Sequence, residues 1–297
     1  MTRITPEADG IVSVELADPS GAPLPPWEPG AHLDVQLITR QQRQYSLLDS
    51  DPRTYRIAVL REERSRGASM YVHEFLRVGS IVRVLPPRNL FPQPAADEHL
   101  LLAAGIGITA LLPMAQRLHR DGAEWALHYA VRGDSAVPFR SELAALGARV
   151  SLHPPARRLD IPALLADPRP GVAVSACGPA RFLDAVTAAM AAWPPGSLHL
   201  ERFEPKPVAA RPDAPFSVHC ARSDLDVEVP ADRTMLQALA ARDLPVTGSC
   251  LRGVCGSCAV RVLSGEVEHR DSLTTPESTV LYPCVSRAAG ARLVVDL

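Results

Sequence analysis

Apolar and polar residues alternate with a period of two along the first third of the chain, which is the pattern of half-buried β-strands. The alternating runs lie at residues 12–16, 33–37, 57–59 and 82–84. Proline and glycine signals separate these runs, and one helix is predicted at residues 69–76 with Ser69 as its N-cap. Residues 1–96 are therefore predicted to form a small antiparallel β-barrel.

The pattern changes after residue 97, where short apolar runs alternate with helical stretches. The first run, residues 100–104, leads into Gly105 and a helical stretch that ends near residue 119. The later elements are strands at 125–131, 149–153 and 172–176 and helices at 141–146, 160–166 and 180–192. Because such alternation is typical of a parallel sheet covered by helices, residues 97–205 are predicted to form an α/β domain.

The last part of the chain begins with a proline-rich stretch, residues 206–215, which is predicted to be a semi-rigid linker. Residues 216–297 are predicted to form a small α+β domain. Its elements are strands at 216–221 and 225–229, a helix at 234–242, a pair of strands at 259–262 and 266–270, and a last strand at 292–296.

The chain has 297 residues, which suggests two domains or three small ones at roughly 150 residues per domain. Its net charge of −2 gives no indication of a nucleic-acid or membrane-surface partner. The longest apolar run, residues 100–115, is shorter than the roughly 18 residues of a membrane span. Residues 1–10 lack the apolar segment of a signal peptide, so we expect a cytoplasmic protein whose thiols stay reduced.

Three of the six cysteines are clustered in the spacing Cys250-x4-Cys255-x2-Cys258, and Cys284 follows after 25 residues. The plant-type [2Fe–2S] motif has this C-x4-C-x2-C…C spacing. A glycine-containing loop can wrap three thiolates while its N–H groups point at the sulfurs. The alternative is a structural zinc site, but such sites usually pair two C-x2-C knuckles and this chain has one. Cys220 lies in a predicted strand and is expected to be a buried core residue.

Residues 248–258, GSCLRGVCGSC, resemble the cluster loop of plant-type ferredoxins. With this loop placed after a barrel and an α/β module, essentially the whole chain resembles the phthalate dioxygenase reductase family, which includes vanillate demethylase reductases. The resemblance implies a flavin domain at 1–96, a pyridine-nucleotide domain at 97–205 and a ferredoxin domain of β-grasp fold at 216–297. The implied cluster ligands are Cys250, Cys255, Cys258 and Cys284.

The segment Arg43-Gln44-Tyr45-Ser46 matches the R-x-Y-S motif of this family. The resemblance implies that Tyr45 packs on the isoalloxazine ring, that Ser46 approaches its N5 edge as a catalytic residue, and that Arg43 neutralises phosphate. These residue types suit a planar ring and a phosphate. Taken without the resemblance, an Arg and a Tyr that alternate on a strand are an ordinary strand face.

A second phosphate contact is predicted where Arg66, Gly67 and Ser69 precede and enter the helix. The family usually has G-G-S here, so Ala68 is a departure, and a simple N-cap turn is the alternative. The resemblance favours FMN over FAD, which the residue spacing does not decide.

Gly105-x-Gly107-x-Thr109-Ala110 follows the first strand of the α/β region. It fits the dinucleotide pattern G-x-G-x-x-A, and it matches better the G-x-G-x-T-P turn of ferredoxin reductases, with Ala110 where proline is usual. Small residues let the backbone approach nicotinamide and flavin, and Thr109 is a predicted catalytic residue. The alternative is a tight strand–helix turn.

Cys177-Gly178-Pro179 resembles the C-G-P motif of the family, which implies that this segment lines the nicotinamide site with Cys177 near the path of hydride transfer. The alternative is that Cys177 is a buried small residue. For the adenosine end, Asp134 would accept a hydrogen bond from a ribose 2′-OH, whereas Arg132 would attract a 2′-phosphate. The family mostly uses NADH, so we expect NADH rather than NADPH. Phe203 is placed near the flavin by resemblance.

Nicotinamide gives two electrons as a hydride and a [2Fe–2S] cluster accepts one, so a flavin is expected to step between them. The sequence has no second metal motif, and we therefore predict an outside acceptor, the oxygenase or demethylase of a two-component Rieske system. The alternatives are a reductase for a cytochrome P450 and a non-catalytic ferredoxin-like carrier. The partner is expected to dock at the rim of the cysteine loop, around Leu251, Arg252 and Val254.

Overall fold

The computed structural model describes residues 1–37, 42–48, 51–63, 67–133, 137–207, 212–273 and 279–297. The chain divides into two compact units, Met1–Glu201 and Arg202–Leu297. Arg66 and Asp134, two of the predicted binding residues, lie outside the described residues. None of the helices in the described ranges is long and apolar enough to cross a membrane. The domain boundaries drawn from the sequence stay predictions.

Short antiparallel strands make up the first part of the Met1–Glu201 unit. They and their one helix are β1 (Arg3–Ala8), β2 (Ile11–Ala17), β3 (Ala31–Gln36), β4 (Gln42–Ser46), β5 (Thr54–Leu60), α1 (Ala68–Glu74), β6 (Arg83–Val84) and β7 (Arg88–Asn89). One sheet has the order β1-β2-β5, and a second has the order β4-β3-β6 with β7 also paired to β3. A bridge between Leu47 and Ile57 connects the strands of the two sheets, which enclose one apolar cluster. This is the predicted antiparallel barrel.

Strand alternation explains the two faces of β3. Leu33 and Val35 point into the barrel core and are buried. Asp34 on the opposite face is also buried, and its carboxylate accepts hydrogen bonds from Gln44 and Arg88. A buried carboxylate is tolerated only with such partners, so Asp34 ties β4 and β7 to β3.

The helix of the barrel begins earlier than predicted. Gly67 is its N-cap, with a left-handed φ of 100°, and Ser69 lies inside the first turn. The Ser69 hydroxyl accepts a hydrogen bond from the Glu62 backbone N–H at 3.2 Å. The prediction of Ser69 as N-cap is therefore wrong, because that side chain bonds to the preceding loop and not to the helix.

The second part of the first unit is a five-stranded parallel sheet with helices. Its elements are β8 (Glu98–Ala104), a 3₁₀ turn (Gly105–Gly107), α2 (Ile108–Arg120), β9 (Glu124–Ala130), α3 (Arg140–Ala145), β10 (Val150–His153), α4 (Ile161–Leu164), β11 (Val172–Cys177), α5 (Ala180–Ala189) and β12 (Leu198–Glu201). The strand order is β10-β9-β8-β11-β12, and every pairing is parallel. The predicted α/β arrangement is confirmed, and β12 is an additional strand.

One buried cluster joins the barrel to the parallel sheet. Leu48 and Phe91 of the barrel region pack in the same cluster as Ile108 and Leu111 of α2. The barrel and the parallel sheet therefore share one apolar core. A second cluster, built from the opposite face of the sheet with α4 and α5, completes the layered architecture.

The Arg202–Leu297 unit is the predicted α+β module. Its elements are β13 (Phe216–Cys220), β14 (Leu225–Val229), α6 (Met235–Ala240), β15 (Val260–Ser264), β16 (Val267–Glu268), β17 (Val280–Leu281), β18 (Arg287–Ala288) and β19 (Arg292–Val295). The main sheet has the order β14-β13-β19-β15-β17. A capping box between Thr234 and Gln237 starts α6. Cys220 is fully buried, as predicted.

The predicted pair of strands at 259–262 and 266–270 is wrong as a pair. β15 pairs with β17 and β19, whereas β16 pairs with β18 in a separate two-stranded sheet. Gly265, between β15 and β16, has a φ of 100° and packs closely against Arg292 and Leu293 of β19. Both β15 and β16 therefore pair with strands that come later in the chain and not with each other.

Candidate functional site

The four predicted cluster cysteines come together as two pairs. A hydrogen bond from the Cys250 thiol lowers the pKa of Cys255, and one from the Cys284 thiol lowers the pKa of Cys258. The donating thiols have raised pKa values for the same reason. Each pair therefore brings two sulfurs within hydrogen-bonding distance of each other, and the thiol that accepts the hydrogen bond loses its proton more easily.

Polar groups of the loop surround these sulfurs. The Arg252 backbone N–H donates to Cys250 Sγ at 3.3 Å, and the Ser257 hydroxyl lies 3.2 Å from Cys255 Sγ. Ser257 Oγ also accepts a hydrogen bond from the Ser249 backbone N–H at 2.8 Å, so it links the two ends of the loop. Donors aimed at sulfur stabilise additional negative charge there.

The loop is tight because of its backbone conformation. Gly253 has a φ of 68°, and a Cβ added there would lie 2.7 Å from Val285 and 2.9 Å from Asp271. Leu251 adopts a φ of 54°, which is rare for a residue with a side chain, and it is 59% exposed. The loop thus packs closely against 271 and 285 while Leu251 projects from its rim.

This arrangement fits a [2Fe–2S] cluster, in which each of two irons takes two thiolates. The pairs Cys250–Cys255 and Cys258–Cys284 match that division of ligands. A structural zinc site usually combines two C-x2-C knuckles and this chain has one, so the spacing favours the cluster over the zinc alternative.

The predicted flavin residues lie at the end of β4. Ser46 is buried, and its hydroxyl has no hydrogen-bond partner among the described residues. Tyr45 points to the other face of the strand, next to the barrel core, and burial raises its pKa to about 12. Arg43 lowers that pKa slightly and donates to the Gln42 carbonyl at 2.7 Å. A buried hydroxyl without a partner fits a bound ligand that supplies the missing hydrogen bond.

The two predicted nucleotide turns interlock. β8 and β11 are adjacent parallel strands, so the turns that follow them meet at the same sheet edge. A Cβ on Gly107 would lie 2.2 Å from the Cys177 carbonyl oxygen, and one on Gly178 would lie 2.8 Å from Ala104 Cβ. Gly107 packs against the backbone of Cys177 and Gly178 packs against the side chain of Ala104, so neither position leaves room for a Cβ. Pro179 then begins α5 as its N-cap residue.

Thr109 and Tyr129 close the first of these turns. The Thr109 hydroxyl donates to the Ile106 carbonyl at 2.9 Å, and the Tyr129 hydroxyl donates to the Gly105 carbonyl at 2.9 Å. Burial raises the pKa of Tyr129, so it remains a donor. Arg132 is exposed at the end of β9, on the same edge of the sheet. The role of Thr109 in catalysis stays a prediction.

Cys177 is completely buried at the end of β11, and burial followed by the charge of Glu201 raises its pKa well above the usual value. It is therefore a neutral thiol. Glu201 of β12 lies directly opposite Cys177 of β11 in the parallel sheet. The sequence did not predict Glu201 as a site residue. Burial raises its pKa to about 8, and its Oε2 atom has no hydrogen-bond partner among the described residues.

Residues beside three of the predicted site segments share one apolar cluster of the first unit. Leu48, two residues after Ser46, belongs to the same buried cluster as Ile108 and Cys177. The chain just after β4 and the two glycine turns therefore pack on a common core. Phe203 lies in the other unit and is 38% exposed, so its role stays a prediction.

Comparison with known proteins agrees with this site. A family model described as a 2Fe-2S iron-sulfur cluster binding domain matches residues 218–289. Phthalate dioxygenase reductase of Burkholderia cepacia is 38% identical over 302 residues, covering 98% of this chain and 94% of that protein. A solved phthalate dioxygenase reductase structure matches with a TM-score of 0.73 and 36% identity, over 100% of this chain and 96% of that one.

A crystal structure of an intact type IV self-sufficient cytochrome P450 monooxygenase also matches, with a TM-score of 0.93 and 39% identity. All of this chain is covered by that match, but it spans only 40% of the P450 chain.

The fold and the two sites define an electron-transfer oxidoreductase of the flavin and iron–sulfur type. Its ferredoxin module provides the four-cysteine loop, and its reductase module provides the paired glycine turns. The chain belongs to the phthalate dioxygenase reductase family, with relatives that are reductase components of oxygenase systems. The predicted family, fold class and [2Fe–2S] domain are confirmed.

Proposed function

We propose that this chain passes electrons from NADH through FMN and a [2Fe–2S] cluster to a Rieske-type oxygenase or demethylase. One NADH yields NAD⁺, one proton and two electrons, which leave singly to two oxidised acceptors. FMN supplies the exchange between two-electron and one-electron chemistry when it is bound. The main support is the direct contact between the turns at Gly107 and Cys177, together with the buried Ser46 hydroxyl that has no hydrogen-bond partner among the described residues.

These residues have distinct roles in the proposal. The Ser46 hydroxyl, which has no hydrogen-bond partner in the described part of the chain, would hydrogen-bond the reactive edge of the ring system. Gly107 and Gly178 let the two turns pack directly on each other, which holds together the sheet edge where nicotinamide and flavin would bind. Cys177 remains a neutral thiol that fills the space beside the hydride path without adding charge.

Phosphate and ribose contacts come from the ends of the site. Arg43, Gly67 and Ser69 are assigned to the FMN phosphate, together with Arg66. Asp134 is assigned to the adenosine ribose, which favours NADH over NADPH. This assignment rests on the family pattern in the sequence.

The acceptor is assigned from the family and from the loop rim. The relative from Burkholderia cepacia is named for a dioxygenase, which supports an oxygenase partner. The alternative is a P450 acceptor, favoured by the match to a self-sufficient P450 monooxygenase. In both cases the exposed Leu251 of the cysteine loop is part of the docking surface, because a short distance between the cluster and the acceptor speeds electron transfer.

The first test is the anaerobic visible spectrum of the purified protein before and after NADH. Bleaching of both the flavin band and the iron–sulfur shoulders supports the carrier chain. A Cys284→Ser variant should keep NADH-driven flavin bleaching and lose the iron–sulfur shoulders, because only one thiolate then remains for the second iron. Absence of flavin bleaching in the wild-type chain contradicts the proposal. If only cytochromes P450 accept its electrons, the proposed Rieske-type partner is wrong and a P450 takes its place.

A further inference from the structure

A buried carboxylate lies behind the cysteine loop and has no part in the function proposed above. The side chain of Asp271 has no solvent exposure. Removing a carboxylate from water is costly unless hydrogen bonds and charges compensate. The hydrogen bonds and contacts of Asp271 therefore indicate its role in this unit.

Asp271 is bonded to the segment that carries the fourth cysteine. Its Oδ2 accepts a hydrogen bond from the Ser286 hydroxyl at 3.0 Å, and its Oδ1 accepts one from the Leu273 backbone N–H at 2.9 Å. Ser286 Oγ in turn accepts a hydrogen bond from the Arg270 backbone N–H at 3.1 Å. Since Ser286 is two residues after Cys284, this network holds the position of the Cys284 segment.

The same short stretch contacts the loop that carries the other three cysteines. The Ser272 backbone N–H donates to the Gly253 carbonyl at 2.9 Å. A Cβ on Gly253 would lie 2.9 Å from both Cα and Cβ of Asp271, so the two backbones are in close contact. Gly253 lies between Cys250 and Cys255. Residues 270–273 therefore touch both cysteine-bearing segments, which are separated by 25 residues of sequence.

Asp271 also acts electrostatically in the same region. The fully buried carboxylate lies next to both cysteine-bearing segments. His269 Nδ1 is 3.5 Å from Asp271 Oδ2, which partly balances the carboxylate when the ring is protonated. A reduced cluster carries one more negative charge than an oxidised one, and a buried negative group nearby disfavours that gain.

We propose that Asp271, acting through Ser286, is a positioning residue for the iron–sulfur cluster. The Asp271–Ser286 pair clamps the Cys284 segment against the three-cysteine loop, and the buried charge keeps the reduction potential of the cluster low. The inference depends on the cluster of the proposed function and is independent of the flavin and of the final acceptor.

The experiment compares three variants of the full-length protein that contains its cluster. Ser286→Ala cuts the clamp and keeps the charge. Asp271→Asn removes the charge and keeps an oxygen acceptor. Asp224→Asn, an exposed residue of the same unit, makes the same chemical change as a matched control. The readouts are the rate of cluster loss to an iron chelator and the midpoint potential from a mediated dithionite titration.

We expect Ser286→Ala to lose its cluster about tenfold faster than the control, which corresponds to about 1.4 kcal/mol for one buried hydrogen bond. We expect Asp271→Asn to have a higher midpoint potential than Asp224→Asn. Loss from Ser286→Ala at the wild-type rate overturns the clamp, and equal potentials in the two Asn variants overturn the role of charge. If Asp271→Asn does not fold, the rate for Ser286→Ala decides.

Failure of the proposed function gives a different result. A wild-type chain that holds the cluster but does not bleach its flavin with NADH contradicts the electron pathway. The chelator rates and the dithionite titration do not use NADH or flavin, so they still decide the role of Asp271.

Discussion

Replacement of Gly107 by Ala tests whether contact between the two glycine turns sets the geometry of hydride transfer. The new Cβ would lie 2.2 Å from the Cys177 carbonyl oxygen and 2.8 Å from the Gly178 nitrogen. Ordinary contact begins at 3.4 Å, so one turn must retreat by about 1.2 Å. The atoms in the way are backbone atoms, and no change of rotamer relieves the collision.

The size of the effect follows from that displacement. Overpacking of this kind costs about 1–3 kcal/mol of stability. A misplacement of about 1 Å at the reacting groups can slow a reaction by about 10²-fold. We therefore expect Gly107→Ala to keep the fold with a lower melting temperature and to slow flavin reduction by NADH by about 10²-fold.

The assay is anaerobic stopped-flow measurement of flavin bleaching, together with thermal unfolding. Gly290→Ala is the control, because its Cβ meets nothing within 4 Å and its φ is not positive. Gly105→Ala separates steric collision from backbone strain. Its Cβ would also meet nothing within 4 Å, but its φ is +55°, which is unfavourable for alanine. If Gly107→Ala reduces its flavin as fast as Gly290→Ala, contact between the turns does not control hydride transfer.

Two further predictions concern pH. Burial raises the pKa of Glu201 from 4.5 to about 8. Between these two pH values only the unfolded chain releases the proton, so rising pH favours unfolding. The wild-type chain should therefore lose stability relative to Glu201→Gln as pH rises from 4.5 to about 8. Denaturant unfolding at about pH 5 and about pH 8.5 measures this, and a constant difference between the two chains contradicts it. His128 Nδ1 lies 3.0 Å from His153 Nε2, and burial lowers both pKa values below 6.5. Their stabilising effect is complete above pH 6.5 and is lost as pH falls below it, so His153→Asn should flatten the decline of stability between about pH 6.5 and about pH 5. An unchanged slope in that variant would show that the pair does not sense pH.

Some features were predictable because short stretches of sequence encode them. The spacing of Cys250, Cys255 and Cys258 places three thiols on one loop whatever the rest of the chain does. The glycines at 105 and 107 mark a strand–helix turn in the same local way, and the structure has a 3₁₀ turn there. Apolar alternation likewise located β2, β3 and β5 of the barrel.

Other features depended on residues far apart in sequence. β12 has only four residues and a half-buried pattern, so its place beside β11 comes from pairing and not from periodicity. That pairing puts Glu201 next to Cys177 and buries its carboxyl group. Nothing in the residues around Glu201 signals this change of environment.

The sequence by itself determined the chemistry of this protein: four thiols in a [2Fe–2S] spacing, glycine turns suited to a nucleotide, and the alternation of a barrel and a parallel sheet. These are properties of local spacing and local backbone preference. Only the tertiary structure decided that Gly107 touches Cys177 and that Asp271 is buried behind the cysteine loop. It also decided that the Ser46 hydroxyl is buried without a hydrogen-bond partner among the residues described. Burial and contact between distant segments arise when the chain packs, and their energies depend on neighbours that no local pattern specifies.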